Sequence, residues 1–429
     1  MFRSLRVRNY RLFASGQIVS LTGTWMQRVA QDWLVLNLSH NSGTALGVVT
    51  ALQFAPTLLL GLWGGVLADR YDKRRLLLVT QSTMGLLALV LGLLDATGVV
   101  TLWHVFALAA LLGTSNALDV PVRQAFVVEM VGRDELTNAV SLNSATFNSA
   151  RIIGPAVAGL MINWVGTGPV FFVNAASVAA VLVGLVMMRP AELYRAPVVP
   201  RARGQLREGL HYVRSRADLV VPMVLVFIVG TFGLNFQITL ALMTKQVFGL
   251  GAGAYGLLST SLAVGSLTGA LMSTRRKHRP RLRMLILAAT AFGLLETLAG
   301  LMPTYASLAL MLVPAGAAAL TFTIAANSTV QMGAEPTMRG RVMALYLLCF
   351  LGGTPVGAPL IGTLAEHFGA RASLIAGGGV SAVAALLVGL LLARRRGVQV
   401  DQIAAELRHY RRQPLSTPAT SAGRSTAAR

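Results

Sequence analysis

An all-α membrane protein of twelve transmembrane helices, arranged as two six-helix pseudo-symmetric halves, is the fold this sequence predicts. Three observations carry that expectation. Of 429 residues 54% are hydrophobic and only 12% charged, with a mean hydropathy of +0.63, whereas a soluble domain carries about 25% charged residues. Twelve apolar runs follow one another, at residues 12–38, 45–67, 76–94, 102–126, 136–165, 170–188, 219–242, 255–272, 284–302, 308–324, 343–364 and 374–392. Each approaches or exceeds the ~20 residues a helix needs to cross a bilayer. Finally, 33 of the 37 Lys and Arg residues fall in the tails and connections on the N-terminal side; Lys245 and Arg371 lie on the opposite side, and Arg28 and Arg151 within runs. That asymmetry is the positive-inside rule, and it predicts a multi-pass protein of the inner (plasma) membrane with both termini cytoplasmic.

The predicted organisation is a first half over 1–188, a cytoplasmic linker over 189–218, a second half over 219–393 and a basic, disordered tail over 394–429. The net charge of +21 does not imply nucleic acid, because the basic residues are spread over every connection instead of one folded module. The lone Cys349 and six scattered histidines predict no metal site, and neither a Gly-Lys-Ser/Thr phosphate loop nor a His-Glu-x-x-His pair occurs. We expect no enzyme activity and no cofactor. The basic start, Met1-Phe-Arg-Ser-Leu-Arg6, precedes no short apolar region with a cleavage site, so no removable signal is expected.

In the first run, Gln17, Ser20, Thr24, Gln27, Arg28, Gln31 and Asp32 fall in one arc of roughly 140° at ~100° per residue. A polar stripe on a membrane helix predicts a water-facing wall, with Gln27 and Gln31 as candidate substrate contacts. Arg28 and Asp32, spaced i, i+4, can pair. Asp32 is the one acid on a polar stripe of a first-half span away from the cytoplasmic end, which makes it the candidate proton carrier.

Between the second and third runs lies Gly65-Val-Leu-Ala-Asp-Arg-Tyr-Asp-Lys-Arg-Arg75. It resembles the signature of the major facilitator superfamily of secondary transporters, roughly G-x-x-x-D-R-x-G-R-R. Gly65, Asp69, Arg70, Arg74 and Arg75 match, and Asp72 stands where glycine is usual. The resemblance implies that this loop locks the cytoplasmic side, a role that falls to Asp69 and Arg70, with Asp69 facing the start of the eleventh helix.

The fourth run ends Asn116-Ala-Leu-Asp-Val-Pro-Val-Arg-Gln124. Pro121 removes a backbone donor there, and Asp119 and Arg123 can pair at the same end. The arginine that many proton-coupled members carry in this helix is absent, with Ala109 and Leu112 near its place; Arg28 and Arg151 are the substitutes. Asp134 is placed to cap the fifth helix. That helix carries Ala150-Arg-Ile-Ile-Gly-Pro-Ala-Val-Ala-Gly159, similar to the antiporter motif of the superfamily at Gly154, Pro155 and Gly159. Small residues there let helices approach closely, and the resemblance ties the motif to exporters. Asn148 and Arg151 share one face of this helix.

The linker contains Pro190, Pro197 and Pro200, then a short helix over 205–213 with Leu206, Leu210 and Val213 on one face. In the second half, Gly269-Ala-Leu-Met-Ser-Thr-Arg-Arg276 stands where the signature would repeat, with Ser273 for the acid. Parallel halves place a substrate site between them near the midplane. Asn235, Phe236, Asn327 and Tyr346 are the second-half candidates for it. Glu296 is the sole acid in a second-half span, and the resembled fold puts its helix at the periphery.

Asn9-Tyr-Arg-Leu-Phe13, Gly23-Thr-Trp-Met-Gln-Arg-Val-Ala30 and Asp119-x-Pro-x-Arg-Gln124 look like the superfamily branch that contains the enterobactin exporter. That resemblance implies a monomer exporting an amphipathic small molecule, drug-like or siderophore-like, in exchange for protons. An importer or lysophospholipid flippase of the same fold is the alternative.

Overall fold

A backbone that crosses hydrocarbon must satisfy its own N–H and C=O groups, so apolar runs of this length fold as helices. The computed structural model describes residues 3–132, 134–194, 205–274 and 282–395, and among them every regular element is helical. The helices are α1 (Arg8–Leu38), α2 (Gly43–Arg70), α3 (Lys73–Ala96), α4 (Leu102–Val131), α5 (Leu136–Val165), α6 (Gly168–Val186), α7 (Gln205–Arg214), α8 (Ala217–Phe232), α9 (Phe236–Leu242), α10 (Ala252–Thr274), α11 (Leu282–Leu301), α12 (Tyr305–Gly333), α13 (Arg339–Phe368) and α14 (Ala370–Arg395). By contact the chain divides after Ala385, and the first unit holds everything described below.

Ten of the described spans are long and apolar enough to cross a membrane. The exceptions among the long helices, α1 and α5, have 31 and 30 residues, roughly 45 Å of helix each. They fall short through polarity, since they carry the polar stripes noted above. The seventh predicted run is discontinuous: α8 stops at Phe232, Gly233 to Asn235 leave the helix, and α9 continues into a π turn at Met243–Val247. Helix α7 forms over the predicted stretch, with Val213 buried and Leu210 40% exposed. Residues 195–204 of the linker, the tail beyond residue 395 and Arg275 and Arg276 lie outside the described residues.

Two sequence expectations change at the caps. The signature is largely helix: α2 runs through Asp69 and Arg70, and Asp72 caps α3 by accepting from Arg75 N at 2.9 Å. That explains an acid where the family has glycine, because an aspartate N-cap satisfies an orphan donor. Asp134 does not cap α5; the N-cap residue is Glu135, without a side-chain bond.

Helices α1–α6 pack on one another through α1–α6, α1–α5, α2–α4, α3–α4 and α3–α6, and α8–α13 do so through α10–α12, α11–α12 and α8–α13. The large contacts between the two groups are α2–α13 and α5–α10. The α2–α13 contact is close at the end of the bundle that carries the turn after α1, called the far end below. There the backbone of α13 at Gly362 and Ala358 fills the space beside Gly43 and Gly47, and Ser42 Oγ and Thr44 N donate to Glu366 Oε2 at 2.7 and 2.9 Å. Lys245 Nζ reaches Asn37 Oδ1 at 2.5 Å and Gln246 Nε2 reaches Asn41 O at 2.8 Å. Further along the same helix pair, only the tip of Leu58 approaches Gly352, at 3.3 Å from a would-be Cβ.

Candidate functional site

Helix α1 is the spine of the site, and its polar stripe is turned inward. Gln17, Ser20, Gln27, Gln31 and Asp32 are all buried, so the stripe is an interior seam and not an open aqueous wall. Three of these side chains are each answered by a different helix. Gln17 Oε1 accepts from Arg123 Nη1 at 3.0 Å, and Gln27 Oε1 accepts from Asn174 Nδ2 at 2.5 Å. Asp32 Oδ2 accepts from Tyr255 OH at 2.7 Å, across the boundary between α1 and α10. Trp33 stacks on the same tyrosine, ring centroids 6.5 Å apart.

Arg28 and Asp32 form no ion pair, despite their spacing. The Arg28 guanidinium lies over the Trp25 ring at 4.7 Å and near the Phe54 ring at 5.9 Å, a placement that the ring quadrupoles favour. It lines a cavity of ≈ 40 Å³, room for a few waters, walled by α1, α2, α3, α4 and α6. Gln27, Gln31, Gln53, Asn116 and Asn174 supply its polar lining, and no acid takes part. Gln31 is 1% exposed, and its Nε2 has no hydrogen-bond partner. Arg28, with no acid in the lining around it, and an orphan amide donor make this pocket complementary to an oxyanion. Leu112, near the place of the missing family arginine, lines the same pocket as Arg28. Arg151 does not line it.

The other predicted residues are spread more widely. Asn148 donates to Ser144 O at 2.8 Å within α5. Asn235 donates to Thr231 O at 2.7 Å, and its Oδ1 is buried without a partner. Phe236 was expected to face a cavity but packs edge-on against Phe292 at 6.0 Å, inside the α8–α14 group. Tyr346 is 1% exposed and stacked on Phe350, its hydroxyl 3.5 Å from Thr323 O and within reach of Asn327. These residues therefore do not join the first-half pocket into one open cavity. Tyr255, the partner of Asp32, was missed, since a tyrosine opening an apolar run reads as an interfacial anchor.

Arg74 donates to Leu185 O and Val186 O at 2.6 and 3.0 Å, closing the C-terminus of α6, and Lys73 pairs with Glu129 at 2.7 Å. Asp119, 1% exposed, accepts from Thr80 and Gln81 at 2.8 Å each and pairs with Arg123 at 3.3 Å. The expected Asp119–Arg123 pair is present and ties α1, α3 and α4 together. Removing one member strands the others, at 3–5 kcal/mol for a fully buried pair. With the Arg123 side chain 24% exposed, Asp119→Ala is expected to cost about 2 kcal/mol, read as a lower melting temperature in detergent. An unchanged melting temperature would remove the cluster from the list of structural ties.

In α5, Gly154 faces Trp25 of α1, where a Cβ would come within 2.6 Å of the Trp25 Cβ, and Gly159 faces Ala252 O of α10, 2.7 Å from a would-be Cβ. The motif is a close-approach surface on two sides, as its small residues imply.

Comparison with known proteins agrees with this architecture. A family model described as "transmembrane secretion effector" matches residues 1–422. The staphyloferrin A transporter of Staphylococcus aureus is 26% identical over 365 residues, 84% of this chain and 90% of that protein. The enterobactin exporter EntS of Escherichia coli strain K12 is 25% identical over 424 residues, 96% of this chain and 95% of that protein. Among solved structures, a bacterial homologue of the human lysosomal transporter Spinster, inward-facing and unoccupied, superposes with a TM-score of 0.71 at 15% identity, covering 89% of this chain and 96% of that one. A POT family transporter in complex with 5-aminolevulinic acid gives 0.73 at 13% identity, covering 91% and 97%. These likenesses show the fold.

Proposed function

This chain belongs to the transmembrane secretion effector family of the major facilitator superfamily, and from that premise we propose that it exports an amphipathic small molecule bearing a carboxylate or similar oxyanion, in exchange for protons. The observation that carries the substrate class is the pocket in which Arg28 and Gln31 Nε2 present donors without an acidic partner. The cavity suits the anionic head of a larger ligand, whose body would extend towards Asn148, Arg151, Asn235, Asn327 and Tyr346 once the helix groups part. The name of one relative, the enterobactin exporter, supports the outward direction. Arg28→Gln should weaken binding of an anionic substrate by roughly tenfold or more, the scale of one lost charge-assisted hydrogen bond. Equal binding by the variant would remove the pocket from substrate recognition.

Asp32 is proposed as the proton carrier. Its partner Tyr255 lies across the α1–α10 boundary, so parting of the two groups at the far end takes the hydrogen bond away and gives the carboxylate to water. Rejoining returns it to a dry site. One group can then load and release a proton on opposite sides.

Counting α1 and α5 gives twelve spans in two halves, with the termini and the 189–218 linker in the cytoplasm and the far end outside. The distribution of Lys and Arg supports that orientation. An impermeant thiol reagent should label Asn41→Cys or Gly168→Cys in intact cells but not Arg203→Cys; labelling of the last would reverse the orientation. With that orientation, the close packing at the far end supports a reading of this arrangement as outward-closed. In the opposite form Gly65, Asp69 and Arg70, with the Asp119–Arg123 cluster behind them, would hold the cytoplasmic ends together.

A further inference from the structure

Glu296 lies in the C-terminal third of α11 and is 2% exposed. A peripheral helix leaves an acid either a tertiary contact or a path outward, and here the carboxyl is turned into the protein. It makes no hydrogen bond or ion pair with a described residue, and its Oε2 is buried without a partner.

The carboxyl abuts the break in the seventh span. A Cβ on Gly233 would stand 2.9 Å from Glu296 Oε2, 2.8 Å from Ser381 Oγ and 2.7 Å from the Phe292 ring. Acid, hydroxyl and ring together occupy the space a side chain at 233 would need, which is why glycine stands at the break. Glu296 Oε1 lies 3.3 Å from the Cβ position of Gly377 on α14, and Phe232 O, the last carbonyl of α8, stands 2.5 Å from that same point. The break carries a second buried acceptor without a donor, Asn235 Oδ1.

No described charged group answers the acid from any packed element. In α11 itself Arg283 is in the first turn. In α8 there is Asp218, also in the first turn and paired with Arg216 at 2.8 Å. Helix α9 has no charged residue, and Lys245 beyond it is bound to Asn37. Helix α12 offers Tyr305 at its first residue, donating to Ala254 O at 3.0 Å. In α14 up to Ala385 there is Arg371, whose Nη1 donates to Met302 O at 2.6 Å and Gly300 O at 3.2 Å.

A carboxylate cut off from water, cations and donors is costly inside a membrane protein, so the group needs a positive counterpart, and a proton is the smallest that fits. We propose that Glu296 is a proton-binding site of the C-terminal helices, seated on the break between α8 and α9, where gain and loss of the proton is coupled to the bend of that span. With the proton on, the acid packs against Gly233 and the break closes over it. Loss of the proton leaves a charge that only water can stabilise, and water reaches it by a change in the bend, which moves Phe236 on Phe292. A sodium ion would suit the same orphan acceptors, and the experiment separates the two.

The test uses the full-length protein in lipid nanodiscs without substrate, so that its failure leaves the export reading standing. Infrared difference spectra between acidic and alkaline buffer should show a protonated-carboxyl C=O band in the wild type. Glu296→Gln should remove one component of it, Glu296→Asp should shift that component, and the control Asp32→Asn should keep it. Spin labels at Val224→Cys on α8 and Leu250→Cys beyond the π turn should report a distance that shifts with pH in the wild type and stays fixed in Glu296→Gln, whether the salt is sodium or choline chloride. A spectrum unchanged in Glu296→Gln, loss of that same component in Asp32→Asn, or a shift driven by sodium at constant pH would each overturn the proposal.

Discussion

Asp32→Asn abolishes gradient-driven accumulation while leaving substrate binding and substrate exchange measurable; this is the largest functional effect expected of a single substitution. Asparagine still accepts the hydrogen bond that Tyr255 donates at 2.7 Å, so the outward-closed arrangement is preserved. What it cannot do is bind and release a proton as the α1–α10 boundary closes and opens. Tyr255→Phe is the complementary variant. It leaves a buried acceptor unanswered, at about 1–3 kcal/mol, and so shifts the protein away from the outward-closed form by roughly five- to 150-fold. The measurement is accumulation in vesicles at several pH values beside exchange at zero gradient. An Asp32→Asn protein that still concentrates substrate with unchanged pH dependence would show that the carrier lies elsewhere.

The second large effect is conformational. Gly256 of α10 packs so closely on Pro155 O of α5 that a Cβ there would overlap the carbonyl. Backbone cannot rotate away as a side chain can, so Gly256→Leu costs more than the ~1–3 kcal/mol of ordinary overpacking, and parting of α5 from α10 relieves it. The variant should therefore populate the outward-open form, with thiol labelling at far-end positions in intact cells rising several-fold. Gly61→Leu is the control, since nothing lies within 4 Å of a Cβ there. Equal labelling of the two variants would show that the α5–α10 contact does not set the closed form.

Much of the fold was legible because length and apolar character leave a bilayer segment little choice but helix. What escaped the sequence was whatever depends on neighbours. The run over 219–242 reads as continuous, yet it breaks where Gly233 meets Glu296 and Phe292 on another helix. Gly and Asn two residues apart in a span were the available signal. The stripe Gln27, Arg28, Gln31 was readable from the 3.6-residue period alone, whereas Gln53 and Asn174 join it only through packing of α2 and α6 on α1. Phe236 and Tyr346 illustrate the ambiguity of aromatic residues in apolar spans: core and cavity wall have the same composition, and here both are buried. The Arg28–Asp32 pair failed for a related reason. Spacing permits a contact, but Tyr255 offers Asp32 a shorter partner and two rings offer Arg28 another.

The most direct test of oxyanion export coupled to protons is uptake into inside-out membrane vesicles. Labelled amphipathic carboxylates and chelators would be compared with their neutral esters, in vesicles with an acidic interior and after a protonophore. The account predicts that the acids accumulate, that the esters do not, that the protonophore collapses accumulation, and that Arg28→Gln weakens it for the acids. Equal accumulation of esters and acids, or accumulation of acids that persists without a proton gradient, would contradict it.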